Sequence, residues 1–226
     1  MIHIKDLSKS FGNKHALSKI NLSFEKGKVY GIVGENGAGK TTFFRCLAGL
    51  EKYDGEISTS LKSLKDQLGY LTTEPFFFDR LTGKEHIQLL LNARDININD
   101  IEQRNIFDLP LNEYASNYST GMKKKLALTA ILLQQNDFFI FDEPFNGVDI
   151  QSNIIITEII HRLKELGKTI VISSHIFSTL ADTCDEIYLL KNGEFVKKVN
   201  KENFKLLENE MKEFSLGNVI DKLDLR

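Results

Sequence analysis

Gly34-Glu-Asn-Gly-Ala-Gly-Lys40-Thr41 fits the pattern G-x-x-x-x-G-K-[ST] and stands between a short apolar run and a stretch with helical spacing. Glycines so arranged let successive backbone N–H groups wrap an anion, and the helix that follows aims its positive end at the same place. Lys40 would bring a point charge to the β- and γ-phosphates of a nucleotide, and the Thr41 hydroxyl could ligate Mg²⁺. Far along the chain, Phe138-Phe-Ile-Phe-Asp-Glu-Pro144 sets two carboxylates at the end of a hydrophobic run. Asp142 stands where a metal beside a phosphate loop needs an anchor, and Glu143 stands at the mouth, placed to polarise an attacking water. Phosphoryl transfer to water is the chemistry that these residue types point to.

Such residues work only if strands and helices bring them together. Val29-Tyr-Gly-Ile-Val33 is short, apolar and β-branched, as a buried strand is, and after Gly39 the residues Phe43, Phe44, Leu47 and Leu50 share a helical face. Before it, Ile2-His-Ile and Asn21 to Phe24 read as strands, with a polar turn around Phe11-Gly12-Asn13. From Pro75 to Thr129 the character changes. Leu81, Ile87, Leu90 and Leu91 have helical spacing, and Asp95 to Asp108 is polar and amphipathic, so short helices are expected there. Lys123 to Leu133 and Ile154 to Leu166 read as helices, Phe138 to Phe141 and Thr169 to Ser173 as buried strands. Asp185 to Leu190 and Phe195 to Val199 form a hairpin, because Asn192-Gly193 suits a type I′ turn. Strands alternating with helices imply an α/β fold with a largely parallel sheet and a small antiparallel portion. The expected organisation is a core of residues 1–74 and 130–200, an inserted helical lobe at 75–129 and a helical tail at 201–226.

Composition excludes several classes. The chain has 226 residues, 42% hydrophobic and 27% charged, an ordinary globular mixture rather than a disordered tail, a collagen-like repeat or a rod. Its 29 basic residues against 31 acidic ones give a formal net charge of -2, so no basic excess points to nucleic acid. No run approaches the ~18 apolar residues that span a bilayer, and the N-terminus lacks a signal-peptide pattern. A cytoplasmic chain is expected. Cys46 and Cys184 have no metal-ligand spacing and read as ordinary thiols. Lys123-Lys-Lys125 reads as a solvated helix face.

Taken in order, the phosphate loop, Tyr118-Ser-Thr-Gly-Met122, Phe141-Asp-Glu-Pro144, Asn146-Gly-Val-Asp149 and Ser173-Ser-His175 resemble an ABC-transporter ATP-binding subunit, in particular the single-cassette subunits of bacterial exporters. The resemblance runs from Ile2 to about Lys198. It implies a P-loop NTPase with a RecA-like core, a small antiparallel β portion and the inserted helical lobe. It also implies ATP and Mg²⁺ as cofactors. Phe11 would stack on adenine. Gly34, Asn36, Gly37, Ala38, Gly39, Lys40, Thr41 and Thr42 would hold the phosphates, and Thr41 and Asp142 the metal. Glu143 would be the general base and His175 the switch histidine. Ser119, Gly121 and Asp149 would reach the nucleotide held by a second subunit, so that two chains enclose two nucleotides with two-fold symmetry. A separate transmembrane permease would hold the subunit at the inner face of the cell membrane.

Two departures from the family pattern stand out. The signature Leu-Ser-Gly-Gly-Gln reads Tyr118-Ser-Thr-Gly-Met122 here, and Thr73 falls where the family has a glutamine that senses Mg²⁺ and the permease, with Glu74 beside it. Phe76-Phe-Phe78 follows, in the region that borders the permease groove; burial of all three in the lobe is the competing expectation. The leading reading is an ATP-driven exporter motor. A nucleotide-gated regulatory or soluble ABC ATPase of low turnover is the alternative, and a small-molecule P-loop kinase would leave Ser119, Asp149 and His175 without a role.

Overall fold

The computed structural model describes residues 1–61 and 63–216, with side chains described as far as 211. Two sheets form it. In the first, β1 (Ile2–Phe11) lies between β2 (Lys14–Phe24) and β4 (Asp54–Thr59), all antiparallel. The second has six strands in the order β5-β6-β7-β3-β8-β9, where β3 is Val29–Val33, β5 Leu68–Leu71, β6 Phe138–Asp142, β7 Thr169–Ser173, β8 Glu186–Lys191 and β9 Glu194–Asn200. Neighbours from β5 to β8 pair in parallel, and β9 closes the edge antiparallel to β8.

The central parallel strands β3, β6 and β7 are buried on both faces, as sheets covered by crossover elements are. Their side chains alternate between two cores. Val29, Val33, Phe139, Phe141, Ile170 and Ile172 meet α2 (Gly83–Asn92), α3 (Thr120–Leu133), α4 (Ile150–Glu165), α5 (Phe177–Thr183) and α6 (Phe204–Leu216). Tyr30, Ile32, Phe138, Ile140 and Val171 face α1 (Lys40–Leu47) and the antiparallel sheet. Phe24 is the hub of the second core, with ring centroids 4.8 Å from Tyr30, 6.3 Å from Phe138 and 6.5 Å from Phe43.

The strands expected at 29–33 and 169–173 have those same bounds, and Asn192 and Gly193, with φ of 50° and 81°, turn the β8–β9 hairpin. The tip of that hairpin packs inward. Gly193 donates its N–H to the Ala38 carbonyl and accepts from Ser18 N–H, both at 3.0 Å. Burial pushes the Cys46 and Cys184 thiols up to about 11 and about 12, so neither is a reactive group.

Several expectations need correction. α1 stops at Leu47 because Gly49 adopts a left-handed conformation and the Leu50 and Gly49 N–H groups bond back to Arg45 and Cys46, which leaves Leu50 exposed beyond the helix. Residues 95–108 form turns and one 3-10 segment at Glu102–Arg104, not a helix. Asp95 and Asp108, with φ of 54° and 49°, break the path, and Ile98, Ile101 and Phe107 reach the core from the turns. β4 was not anticipated; its pairing with β1 is nonlocal. Helices α3 and α4 start at Thr120 and Ile150, earlier than their apolar spacing indicates, because Ser119 and Asp149 cap them. Residues 201–203 are a 3-10 turn ahead of α6, and the part of the expected tail from 217 to 226 lies outside the described residues.

Phe24→Ala removes the ring that joins both sheets to α1 and is expected to cost about 3–5 kcal/mol in a urea unfolding measurement, with Phe24→Leu losing less.

Candidate nucleotide site

The C-terminal ends of β3, β6 and β7 open onto one cleft of about 320 Å³, lined by Phe11, Lys14, Ala16, Asn36, Gly37, Gly39, Lys40, Thr41, Thr42, Thr73, Asp142, Glu143 and His175. The phosphate loop forms one wall. Gly39 is the N-cap of α1 with φ of 112°, and a Cβ there would stand 2.7 Å from the Ala16 carbonyl oxygen, so only glycine fits. The Lys40 ammonium is folded onto its own loop, donating to the carbonyls of Gly34 at 2.7 Å and Glu35 at 3.2 Å. Burial pushes its pKa down, and the nearby Glu143 and Asp142 carboxylates oppose that shift.

The opposite wall is carboxylate. Asp142, fully buried at the end of β6, accepts from Thr41 Oγ1 at 2.8 Å and from Ser173 Oγ at 2.7 Å. The β6–β7 register pairs Asp142 with Ser173, which is why these two side chains meet. Ser173 Oγ also accepts from the Glu143 N–H at 3.1 Å. Glu143 has φ of 54°, a left-handed backbone that costs a non-glycine residue on the order of 1 kcal/mol or more. Its Oε2 accepts from the His175 N–H at 3.1 Å. His175 Nε2 lies 3.1 Å from Oε1 but outside hydrogen-bonding geometry, so Oε1 accepts no hydrogen bond from the protein.

Phe11 stands half-exposed at the end of β1, with Lys9 Nζ 4.6 Å from its ring centroid. Thr73 lines the cleft, whereas Glu74 is exposed and does not. Phe76 and Phe78 are 75% and 52% exposed with their rings 5.3 Å apart, while Phe77 is buried against His86. The three aromatics therefore divide between surface and core.

Ser119, Gly121 and Asp149 do not line this cleft. Ser119 is exposed and caps α3, its Oγ accepting from Met122 N–H at 3.2 Å. Thr120, Gly121 and Met122 thus form the first helical turn rather than a loop before it. A Cβ on Gly121 would stand 2.6 Å from the Gly147 carbonyl oxygen, so this glycine lets α3 approach the 146–149 segment. Asp149, also exposed, caps α4; hydrogen bonds from Ser152 and then Lys125 hold its carboxyl well below the usual range.

Two residues were missed. Ser173 stood in a noted motif, but its bonds to both acidic residues depend on strand pairing. Lys124 stood in the run expected to be solvated; it is 2% exposed and donates to backbone carbonyls of Glu143 and Asn146. Helical phase separates it from Lys125, which pairs with Asp149 at 3.2 Å.

A glycine loop at a helix N-terminus, a threonine next to it and a strand-end Asp-Glu pair across the cleft define a P-loop nucleotide-binding cassette. Residues 17–146 match the family model described as ABC transporter. The chain is 36% identical over 217 residues to the ABC transporter ATP-binding protein NatA of Bacillus subtilis (strain 168), covering 87% of this chain and 88% of that protein. It is 32% identical over 221 residues to the bacitracin transport ATP-binding protein BcrA of Enterococcus faecalis, covering 88% and 69%. A solved structure described as the ATP binding subunit of an ABC transporter superposes with a TM-score of 0.82 at 28% identity, covering 99% of this chain and 97% of that one. The chain belongs to the ABC transporter family, as an ATP-binding subunit. Among the described residues, no helix is long and apolar enough to cross a membrane.

Ser173→Ala strips a donor from buried Asp142 and the acceptor from the Glu143 N–H. It is expected to destabilise the fold by about 1–3 kcal/mol, read from the urea midpoint.

Proposed function

We propose that this subunit hydrolyses ATP with Mg²⁺, pairs with a second ATPase subunit when ATP is bound, and drives a separate membrane permease, acting in export. The observation that carries the pairing is a division of the family's residues. The cleft is lined by groups from Phe11 to His175, while Ser119 and Asp149 are exposed away from it. The N-terminus of α3 is suited to an anion, and that anion would be the γ-phosphate held by the other subunit. Gly121, in the same turn, would bring backbone amides to it.

Within the cleft, the backbone from Gly34 to Gly39, with Asn36, Gly37 and Ala38, would surround the phosphates together with Lys40, Thr41 and Thr42, and Phe11 would stack on the base. The donor set fits Mg²⁺: Thr41 Oγ1 and Asp142 Oδ2 are two hard oxygens 2.8 Å apart, and Mg²⁺ commonly takes only one or two protein ligands beside phosphate oxygens. When bound, the ion would neutralise charge on the phosphates. Glu143 would accept a proton at Oε1, the oxygen left without a protein donor, while the His175 N–H fixes Oε2. His175 would link the base to the γ-phosphate edge of the site.

Residues 75–129 would form the lobe inserted in a core of 1–74 and 130–200, followed by the tail from 201 to 226. Exposed Phe76 and Phe78 would meet a cytoplasmic segment of the permease, holding the subunit at the inner membrane face. The similarity to a bacitracin transport protein supports the transport role. Thr73 in the cleft wall favours a second reading, a regulatory or soluble ABC ATPase of low turnover, because the side chain there is shorter than glutamine. Steady-state phosphate release well above that of Glu143→Gln excludes it.

Lys40→Ala is expected to abolish tight ATP binding in a fluorescent-nucleotide titration; unchanged affinity would count against the phosphate-loop assignment. Glu143→Gln is expected to lower kcat by about 10²–10⁴-fold and to elute as a dimer with ATP. A mutant that hydrolyses normally, or stays monomeric in ATP, refutes the role given to Glu143.

A further inference from the structure

We propose that Lys124 is a positioning residue for Glu143, its buried ammonium locking the turn from Glu143 to Asn146 so that the Glu143 carboxylate stays aimed into the cleft. The proposal deepens the functional reading above and rests on Glu143 as the base. The turn is closed by the Asn146 N–H, which donates to the Glu143 carbonyl at 3.2 Å. Lys124 Nζ donates to that same carbonyl at 2.7 Å and to the Asn146 carbonyl at 2.9 Å, so it grips both ends of the turn. Ser173 and His175 hold the Glu143 N–H and carboxylate, and Lys124 adds the third hold, on the carbonyl.

The reason to retain a cation here is positional. Burying an ammonium is costly, and an apolar side chain of similar length could fill the same space between α3 and β6. What an apolar chain lacks is donors for two inward-facing carbonyls, one of them on a residue with left-handed φ. Burial pushes the Lys124 pKa down, and the nearby Glu143, Asp142 and Glu74 carboxylates oppose that shift. Lys124 does not line the cleft, so it acts through the turn and not on the nucleotide.

The test uses the full chain with Lys124→Met, Lys124→Ala and Lys124→Arg, each also combined with Glu143→Gln. Misplacing a catalytic group by about 1 Å can cost a hundredfold, so Lys124→Met is expected to lose about 10- to 100-fold in kcat. ATP affinity, read by fluorescent-nucleotide titration, should stay within about twofold. Lys124→Arg, which keeps two donors, should recover most of the rate. In the Glu143→Gln background Lys124→Met should have no further effect, because the group it positions is gone. A folded Lys124→Met with wild-type kcat, or one that loses the same factor on top of Glu143→Gln, overturns the proposal. If Lys124→Met does not fold, Lys124→Ala decides, since it too lacks a donor for the two carbonyls and undiminished kcat in that variant overturns the proposal equally. Failure of the base assignment itself would show separately, as normal turnover in Glu143→Gln alone.

Discussion

A carboxylate fully out of water must be given donors, and the Asp142 side chain receives them from Thr41 and Ser173. That requirement ties three distant stretches of chain to one point: the first turn of α1, the end of β6 and the end of β7. It is met with β6 beside β7 and β7 beside β3, the order the central sheet adopts. The rest of the site is built outward from there. Ser173 uses its second capacity to hold the Glu143 N–H, and Lys40 stays folded against its own loop across the cleft. A hydroxyl that both donates and accepts suits this junction, because it satisfies a carboxylate and an amide with one atom.

The cleft and the exposed caps belong to different parts of the molecule but share one framework. α3 carries Ser119 at its start and Lys124 inside, one facing solvent and the other gripping the Glu143 turn. Lys125, on the same helix, pairs with Asp149. The exposed caps and the acidic strand end are therefore joined by a single helix and a short turn, with Gly121 making the close approach possible.

Much of this was legible in the sequence where the signal was local. The runs at 29–33 and 169–173 are apolar and bounded by polar or glycine residues, and their strands begin and end as read. The glycine loop ahead of α1 and the Asp142–Glu143 strand end are runs of consecutive residues, and one cleft brings them together. What was hidden depended on partners far away. Ser173 gains its place from register with Asp142, β4 from pairing with β1, and the lysine run divides because successive helical residues point in different directions. The segment at 95–108 misled for another reason. Its apolar residues are spaced as if helical, yet two left-handed aspartates carry them to the core through turns.

The β8–β9 hairpin has a further meaning for anyone altering the chain. A two-residue tip is ordinarily the most forgiving place in a fold, the first choice for a tag, a reporter or a circular permutation. Here the tip is knitted to the back of the phosphate loop through Gly193 and Ala38, and to β2 through Ser18. Lengthening it would slacken the glycine loop from behind, through Ala38 and through Ala16, against which Gly193 packs. The loop that looks most expendable is thus a tension member, and the surface open to engineering lies elsewhere.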